Sequence, residues 1–298
     1  MLRRSGVHDR GQLWNKEPWM SIRREIETQL RSLNEIKEIM NAMKNLSLME
    51  VHKLARFRES QRKVVDGLEA AAADFMQFHR PLFPNPEKFR EFHLLVGSER
   101  GFCGDFNDTL IRAFENYGDS APQKSVVVVG AKLAVKLDGD ARLRAAIDGA
   151  SVVEEIDAVL VKLMQALTGP SVPGVSDGPL RLTVLHHQPE EEQVAVTVLQ
   201  PLQPAFVQRK RYTHAPLLYL PPQGLLTGLV EEYLFAALYG LLYSSLMAES
   251  QRRIQHMDTA VRRLEKTSAE LVRRNNTLRQ EEITEEIEVI MLSVEALE

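Results

Sequence analysis

From Ile254 to Leu278 the chain places Ile254, Met257, Val261, Leu264, Ser268, Leu271, Asn275 and Leu278 alternately three and four residues apart. That spacing is a heptad seam with two polar interruptions, and a narrow apolar seam of this kind is stable only against another helix. The segment therefore needs a helical partner. No proline or glycine follows Gly240, and Arg, Glu, Leu and Met fill the run, so helix propensity agrees with the periodicity. A helix from Leu226 to the end would be roughly 110 Å long, several times the length usual in a globular domain.

The partner is at the other end of the chain. A second helical pattern starts at Ser21, a candidate cap with Glu25 in the first turn. Its predicted seam is Leu33, Ile36, Met40, Met43, Ser47, Glu50, Leu54, Phe57, Gln61, Val64 and Leu68. Gly67 is the only glycine between Met20 and Pro81, so helix is expected to about His79. There the PLFPNP stretch ends it, because proline lacks the donor and clashes with the preceding turn. About sixty residues of helix span roughly 90 Å. Seven acidic and no basic residues lie from Glu281 to Glu298, whereas the first helix opens with Arg23, Arg24 and Arg31. Antiparallel pairing brings these groups together, and parallel pairing does not.

Between the helices the pattern changes. FHLLVG (Phe92 to Gly97) and SVVVVG (Ser125 to Gly130) are short apolar runs ending in glycine, each followed by a helical pattern, Asp105 to Tyr117 and Ala131 to Leu137. They read as βα units of a parallel sheet. Val153 to Leu167 is a further helix; LRLTVLHH and VAVTVLQPL, separated by QPEEEQ, read as a hairpin. The expected fold is thus an antiparallel coiled coil of N- and C-terminal helices with an inserted Rossmann-like α/β domain. Its parts are residues 1–19, a disordered extension or mis-set start upstream of Met20; 20–80, the first helix; 88–205, the α/β domain; 206–223, a proline-rich connection; and 224–298, the second helix.

A net charge of -4 gives no whole-protein attraction to nucleic acid. The single cysteine, Cys103, excludes an internal disulfide or a cysteine-based zinc cluster. Leu225 to Met247 comes nearest to a membrane span, but Glu231 and Glu232 interrupt it. The first nineteen residues lack the apolar core of a signal peptide.

No arrangement of residues reads as catalytic, cofactor-binding or metal-binding. GSERGFCGDFN (Gly97 to Asn107) follows a strand and precedes a helix, where free amides can hold phosphate. Its glycines lack both the GxGxxG and the GxxxxGK[ST] spacing. The preferred reading is a tight turn that buries Phe102 and Cys103. His186 and His187 adjoin Glu190 to Glu192, but neighbours on a strand face opposite ways; a strand end with solvated charge is expected. The arginine pairs 252/253, 262/263 and 273/274 have no accompanying aromatics, so they read as a solvated coiled-coil flank or a surface gripped by protein partners rather than a nucleic-acid stripe.

These features together resemble the gamma subunit of rotary F-type ATP synthases, from about Ser21 to the end. LRSLNEIKEIMNAMK (Leu30 to Lys44) is similar to that family's IRSVKNTQKITKAMK at Arg31, Ser32, Ile39, Ala42, Met43 and Lys44. The glycine turn resembles S-D-R-G-L-C-G-x-F-N at Ser98, Arg100, Gly101, Cys103, Gly104, Phe106 and Asn107. ESQRRIQHMDTA resembles E-H-A-A-R-M-x-A-M-x-x-A at Glu249, Arg253, Met257 and Ala260, and RQEEITEEI (Arg279 to Ile287) resembles R-Q-x-x-I-T-x-E-I. Leu48, Met49 and Glu50 replace small residues and a lysine, which is expected to thicken the shaft. Val289, Ser293 and Val294 stand where the terminal motif normally ends in an acidic residue and Gly-Ala. The departures imply a divergent member, with an alternate sodium-translocating type as one reading and H+ or Na+ left open as the coupling ion.

The resemblance implies a central-stalk rotor with no catalytic residues of its own, bound to the alpha and beta subunits of the catalytic ring, the epsilon subunit and the c-ring. It implies a peripheral position on the cytoplasmic face of the inner membrane. The residues it marks for partner contact are Arg23, Arg24, Met43, Lys44, Arg100, Glu249, Arg253, Met257, Arg279, Gln280, Glu285, Glu286 and Ile287. The alternative is a nucleotide-binding α/β enzyme that dimerises through its helices. Ile283, Ile287, Ile290, Val294 and Leu297 run one residue out of phase with the upstream heptad, a stutter that relaxes the supercoil.

Overall fold

The computed structural model describes residues 17–82, 90–117, 125–168, 180–189, 191, 193–200 and 213–296. The expected extension is thus outside the described residues up to residue 16, and the proline-rich connection up to residue 212. Two helices bracket the chain: α1 (Glu17–His79), extended by a 3-10 turn at Arg80–Leu82, and α5 (Pro222–Glu295). Between them lie β1 (Arg90–Val96), α2 (Phe106–Asn116), β2 (Val126–Val129), α3 (Ala131–Lys136), β3 (Leu143–Ile147), a 3-10 turn (Val153–Glu155), α4 (Ile156–Thr168), β4 (Leu180–His187) and β5 (Val194–Leu199). The chain divides into two compact units, Met1–Ala42 with Asp258–Glu298, and Met43–Met257.

In the larger unit the sheet order is β3-β2-β1-β4-β5. β1 pairs in parallel with β2 and β4, β2 with β3, and the β4–β5 hairpin is antiparallel, with His187 opposite Val194. All four residues of β2 are buried, as expected of a parallel strand covered on both faces. On one face Phe92, Leu94, Val96, Val127 and Val184 meet Leu160 and Leu163 of α4 and Leu238, Leu242 and Leu246 of α5, together with Leu54 of α1. On the other, Leu95, Val128 and Leu185 meet Leu110 and Phe114 of α2 and Leu133 of α3. One stretch of α5 is long and apolar enough to cross a membrane; Leu238, Leu242 and Leu246 pack it instead against the sheet.

The two long helices run antiparallel. In the larger unit the rings of Phe57 and Tyr243 lie 6.0 Å apart, and further along α1 Phe75 and Met76 cluster with Leu226, earlier in α5. In the smaller unit Arg23 Nη1 donates to Glu282 Oε2 at 2.9 Å. Along α5 the predicted seam is the sheltered face: Met257 and Val261 are buried, and Leu264, Ser268, Leu271, Asn275 and Leu278 are half-buried. Along α1 the predicted seam holds at Leu33, Met40, Met43, Ser47, Glu50, Leu54, Gln61 and Leu68 but slips at three positions. Ile36, Phe57 and Val64 are 45, 47 and 49% exposed, while Lys37, Val51 and Val65 are less so. At Ile36 the choice of the more apolar neighbour misplaced the layer, because Lys37 can lay its methylene stem along the seam and keep its ammonium in water.

Two further expectations are corrected. β3 was not predicted: LRAAI has a single buried residue, Ile147, and two alanines and an arginine give no apolar run to recognise. The histidines at the end of β4 are not solvated, since His186 and His187 are each 1% exposed. They do face opposite ways. His186 Nε2 meets Thr197 Oγ1 at 3.1 Å; the His187 ring packs on Phe106, with centroids 4.0 Å apart, and its Nε2 meets the Phe106 carbonyl at 2.9 Å. Burial pushes both imidazoles down in pKa, which keeps them neutral.

Gly130, between β2 and α3, has φ +112°, and a Cβ there would lie 2.8 Å from the carbonyl oxygens of Gly97 and Ser98. Gly130→Ala is expected to destabilise the fold by about 3 kcal/mol through backbone strain and overlap. Thermal unfolding of the variant checks this; a midpoint equal to that of the wild type would exclude it.

Candidate functional site: the glycine turn and its attachment to α5

The glycine turn leaves the carboxyl end of β1, at the centre of the sheet, where open α/β sheets commonly bind ligands. Asn107, in the first turn of α2, closes it: Ser98 N–H donates to Asn107 Oδ1 at 3.0 Å, and Asn107 Nδ2 donates to Ser98 Oγ at 2.9 Å. Phe102 and Gly104 both have φ +64°. The left-handed Phe102 is unusual for a residue with a Cβ, and it is 54% exposed, while Cys103 is only 6% exposed. The turn thus buries the cysteine, as expected, and not the phenylalanine.

Glu249 of α5, 3% exposed, fills the turn. Its carboxylate accepts the N–H of Glu99 at 3.3 Å and of Arg100 at 3.2 Å and is paired with Arg253. Arg253, 4% exposed, also donates from Nε to the Gly101 carbonyl at 3.3 Å. One turn of helix thereby places an acceptor and a donor on one loop, because residues four apart share a face. Burial pushes the Glu249 carboxyl up in pKa, opposed by Arg253 and the two amides. The Cys103 thiol is pushed up to about 12 by burial and then by Glu249, so at neutral pH it is protonated and a poor nucleophile.

A second carboxylate occupies the neighbouring amides. Glu99 Oε2 accepts the N–H of Ala131, the first residue of α3, at 2.8 Å and of Gly149 at 2.6 Å. The positions where a nucleotide phosphate would sit are therefore held by the chain's own Glu99 and Glu249. The cavity left between Val96, Gly97, Gly149, Ser245 and Glu249 is about 20 Å³, room for about one water. The turn is a joint between sheet and helix. Among the described residues no group of three or more His, Cys, Asp or Glu could hold a metal ion.

Comparison with known proteins agrees with this architecture. Residues 23–297 match the family model for ATP synthase. The chain belongs to the ATP synthase gamma family. It is 23% identical to an ATP synthase gamma chain of Leptospira biflexa, over 93% of this chain and 100% of that one. With a gamma chain of Caldicellulosiruptor saccharolyticus it is 24% identical, over 95 and 99%. A gamma chain of Saccharopolyspora erythraea is 26% identical, over 92 and 97%. Among solved structures it is similar to a chain of the Euglena gracilis mitochondrial ATP synthase (OSCP/F1/c-ring), with a TM-score of 0.61 at 15% identity, over 93 and 95% of the two chains. A chain from the Tetrahymena thermophila mitochondrial ATP synthase central stalk and c-ring gives 0.53 at 15% identity, over 74 and 99%. The low identities fit a divergent gamma subunit.

The residues marked in the gamma sequence fall into two groups. Glu249, Arg253 and Met257, 0 to 4% exposed, are inside the protein, and Arg253 is not part of a solvated flank. Arg24, Arg100, Arg279, Gln280, Glu285, Glu286 and Ile287 are exposed, Met43 and Lys44 half-buried, and Arg23 is shared between Glu27 and Glu282. Sequence reasoning passed over Glu99, whose only signal was an acidic residue inside the glycine turn. It also read Glu50 as bulk in the shaft; this residue instead reaches the amide of Val153 at 3.4 Å. Leu48 and Met49 are 37 and 59% exposed.

Proposed function

We propose that this gamma subunit is the central-stalk rotor of an ion-translocating ATP synthase, coupling rotation of a c-ring to conformational change at catalytic beta subunits. The observation that carries the reading is the joint at Glu249 and Arg253. It ties α5 to the α/β domain through buried, charge-assisted hydrogen bonds, so a torque on the domain passes to the helix. A dimeric nucleotide-binding enzyme has no support in a turn already filled by two carboxylates.

The α/β domain is taken to sit with the epsilon subunit on the c-ring, peripheral to the membrane at its cytoplasmic face. The alpha and beta subunits surround the coiled coil. Partner contact is assigned to the outward-facing residues Arg23, Arg24, Met43, Lys44, Arg100, Arg279, Gln280, Glu285, Glu286 and Ile287. Beyond Glu282, the ion-pair partner of Arg23, Ile283, Ile287, Ile290 and Val294 are 47 to 61% exposed. This out-of-phase tip is the proposed bearing within the catalytic ring. Purifying the tagged chain from its native membrane tests the assignment: co-purification with a membrane ATPase is expected, and recovery only as a free homodimer would reject it.

A further inference from the structure

The 3-10 turn that leads into α4 has no capping side chain at its preceding residue, although Glu155 accepts the Ser151 N–H at 2.7 Å. The residue before it is Val152, which offers no side-chain acceptor, although the first N–H groups of a helix have no partner within it. The missing acceptor comes from another element. Glu50 of α1, with only 15% of its side chain exposed, accepts the Val153 N–H at 3.4 Å. Lys53, one turn further along α1, bridges Glu50 at 3.4 Å and Glu154 at 3.1 Å. Leu54 follows at 1% exposure within the sheet core, near Ile156 and Leu160. A carboxylate at a helix start also meets the positive end of its dipole.

We infer that Glu50 and Lys53 clip α1 to the α4 segment, giving the α/β domain a second attachment to the coiled coil, separate from the joint on α5. With α5 alone attached, the domain could roll about that one helix; with both attached, it turns only with the pair. Glu50 is thus a positioning residue for torque transfer, an assignment that rests on the rotor reading.

Two measurements separate the clip from that reading. In the full-length chain, Glu50→Ala is expected to speed hydrogen exchange at Val153 and Glu154 about tenfold, as local opening becomes easier; unchanged exchange overturns the clip whatever the chain's function. In membrane vesicles carrying the assembled complex, Glu50→Ala and Lys53→Glu are expected to lower gradient-driven ATP synthesis about threefold or more while ATP hydrolysis stays within about twofold. The charge swap Lys53→Glu with Glu154→Lys is expected to recover synthesis, and it decides the question if Glu50→Ala does not assemble. A synthesis-to-hydrolysis ratio equal to the wild type in Lys53→Glu, or a swap no better than Lys53→Glu alone, overturns the clip as a torque element. Failure of the wild-type chain to join any ATPase rejects the rotor reading, and the exchange measurement still decides the clip.

Discussion

Replacing Arg253 by alanine is expected to destabilise the α/β domain by about 3–5 kcal/mol, the usual cost of leaving a buried charge without its partner. Glu249 would keep the amides of Glu99 and Arg100 but lose the guanidinium that offsets its burial. The effect should depend on pH with a defined sign. The folded-state pKa of Glu249 is already raised by burial, and Arg253 is the largest opposing influence, so its removal raises the pKa further. A group whose folded pKa lies above its unfolded value stabilises at low pH and loses that contribution as pH rises through the folded value. The deficit of Arg253→Ala relative to the wild type should therefore be small below the ordinary carboxylate range and grow toward neutral pH. Urea unfolding at several pH values measures it. A deficit that is constant with pH would mean that Arg253 acts through packing, not through the charge of Glu249.

Truncation after Arg279 is expected to have the largest effect on function. It removes Glu282, the partner of Arg23, and the exposed apolar set from Ile283 to Val294, while the sheet domain keeps every residue of its core. Domain stability should be unchanged, and ion-coupled ATP synthesis by the assembled complex should fall about tenfold or more. Full synthesis in the truncated complex would remove the tip from the mechanism.

How much of this was legible before folding follows from the range of each interaction. The seam of α5 was read to the residue because heptad spacing is local and repeats. Three layers of the α1 seam, at Ile36, Phe57 and Val64, were misplaced; at the first a lysine stem and an isoleucine compete for the same layer, and only the partner helix decides between them. β1, β2 and the β4–β5 hairpin announced themselves as apolar runs, whereas β3 is recognised only by the ladder it completes with β2. The glycine turn was singled out by composition and Glu249 by the motif on α5, but their contact was not, because Glu249 lies 149 residues from Arg100 and 150 from Glu99.

The sequence alone determined the long paired helices, the inserted parallel sheet and the resemblance to a rotor subunit. Periodicity, punctuation by glycine and proline, and short motifs are properties of neighbouring residues. Tertiary structure decided that Glu249 and Arg253 face inward, that Glu99 caps α3, that Glu50 serves α4 and that His186 and His187 are buried neutral. For the carboxylates and Arg253 the hydrogen bonds come from residues far away in the chain, and a buried polar group is tolerable only when such a partner arrives.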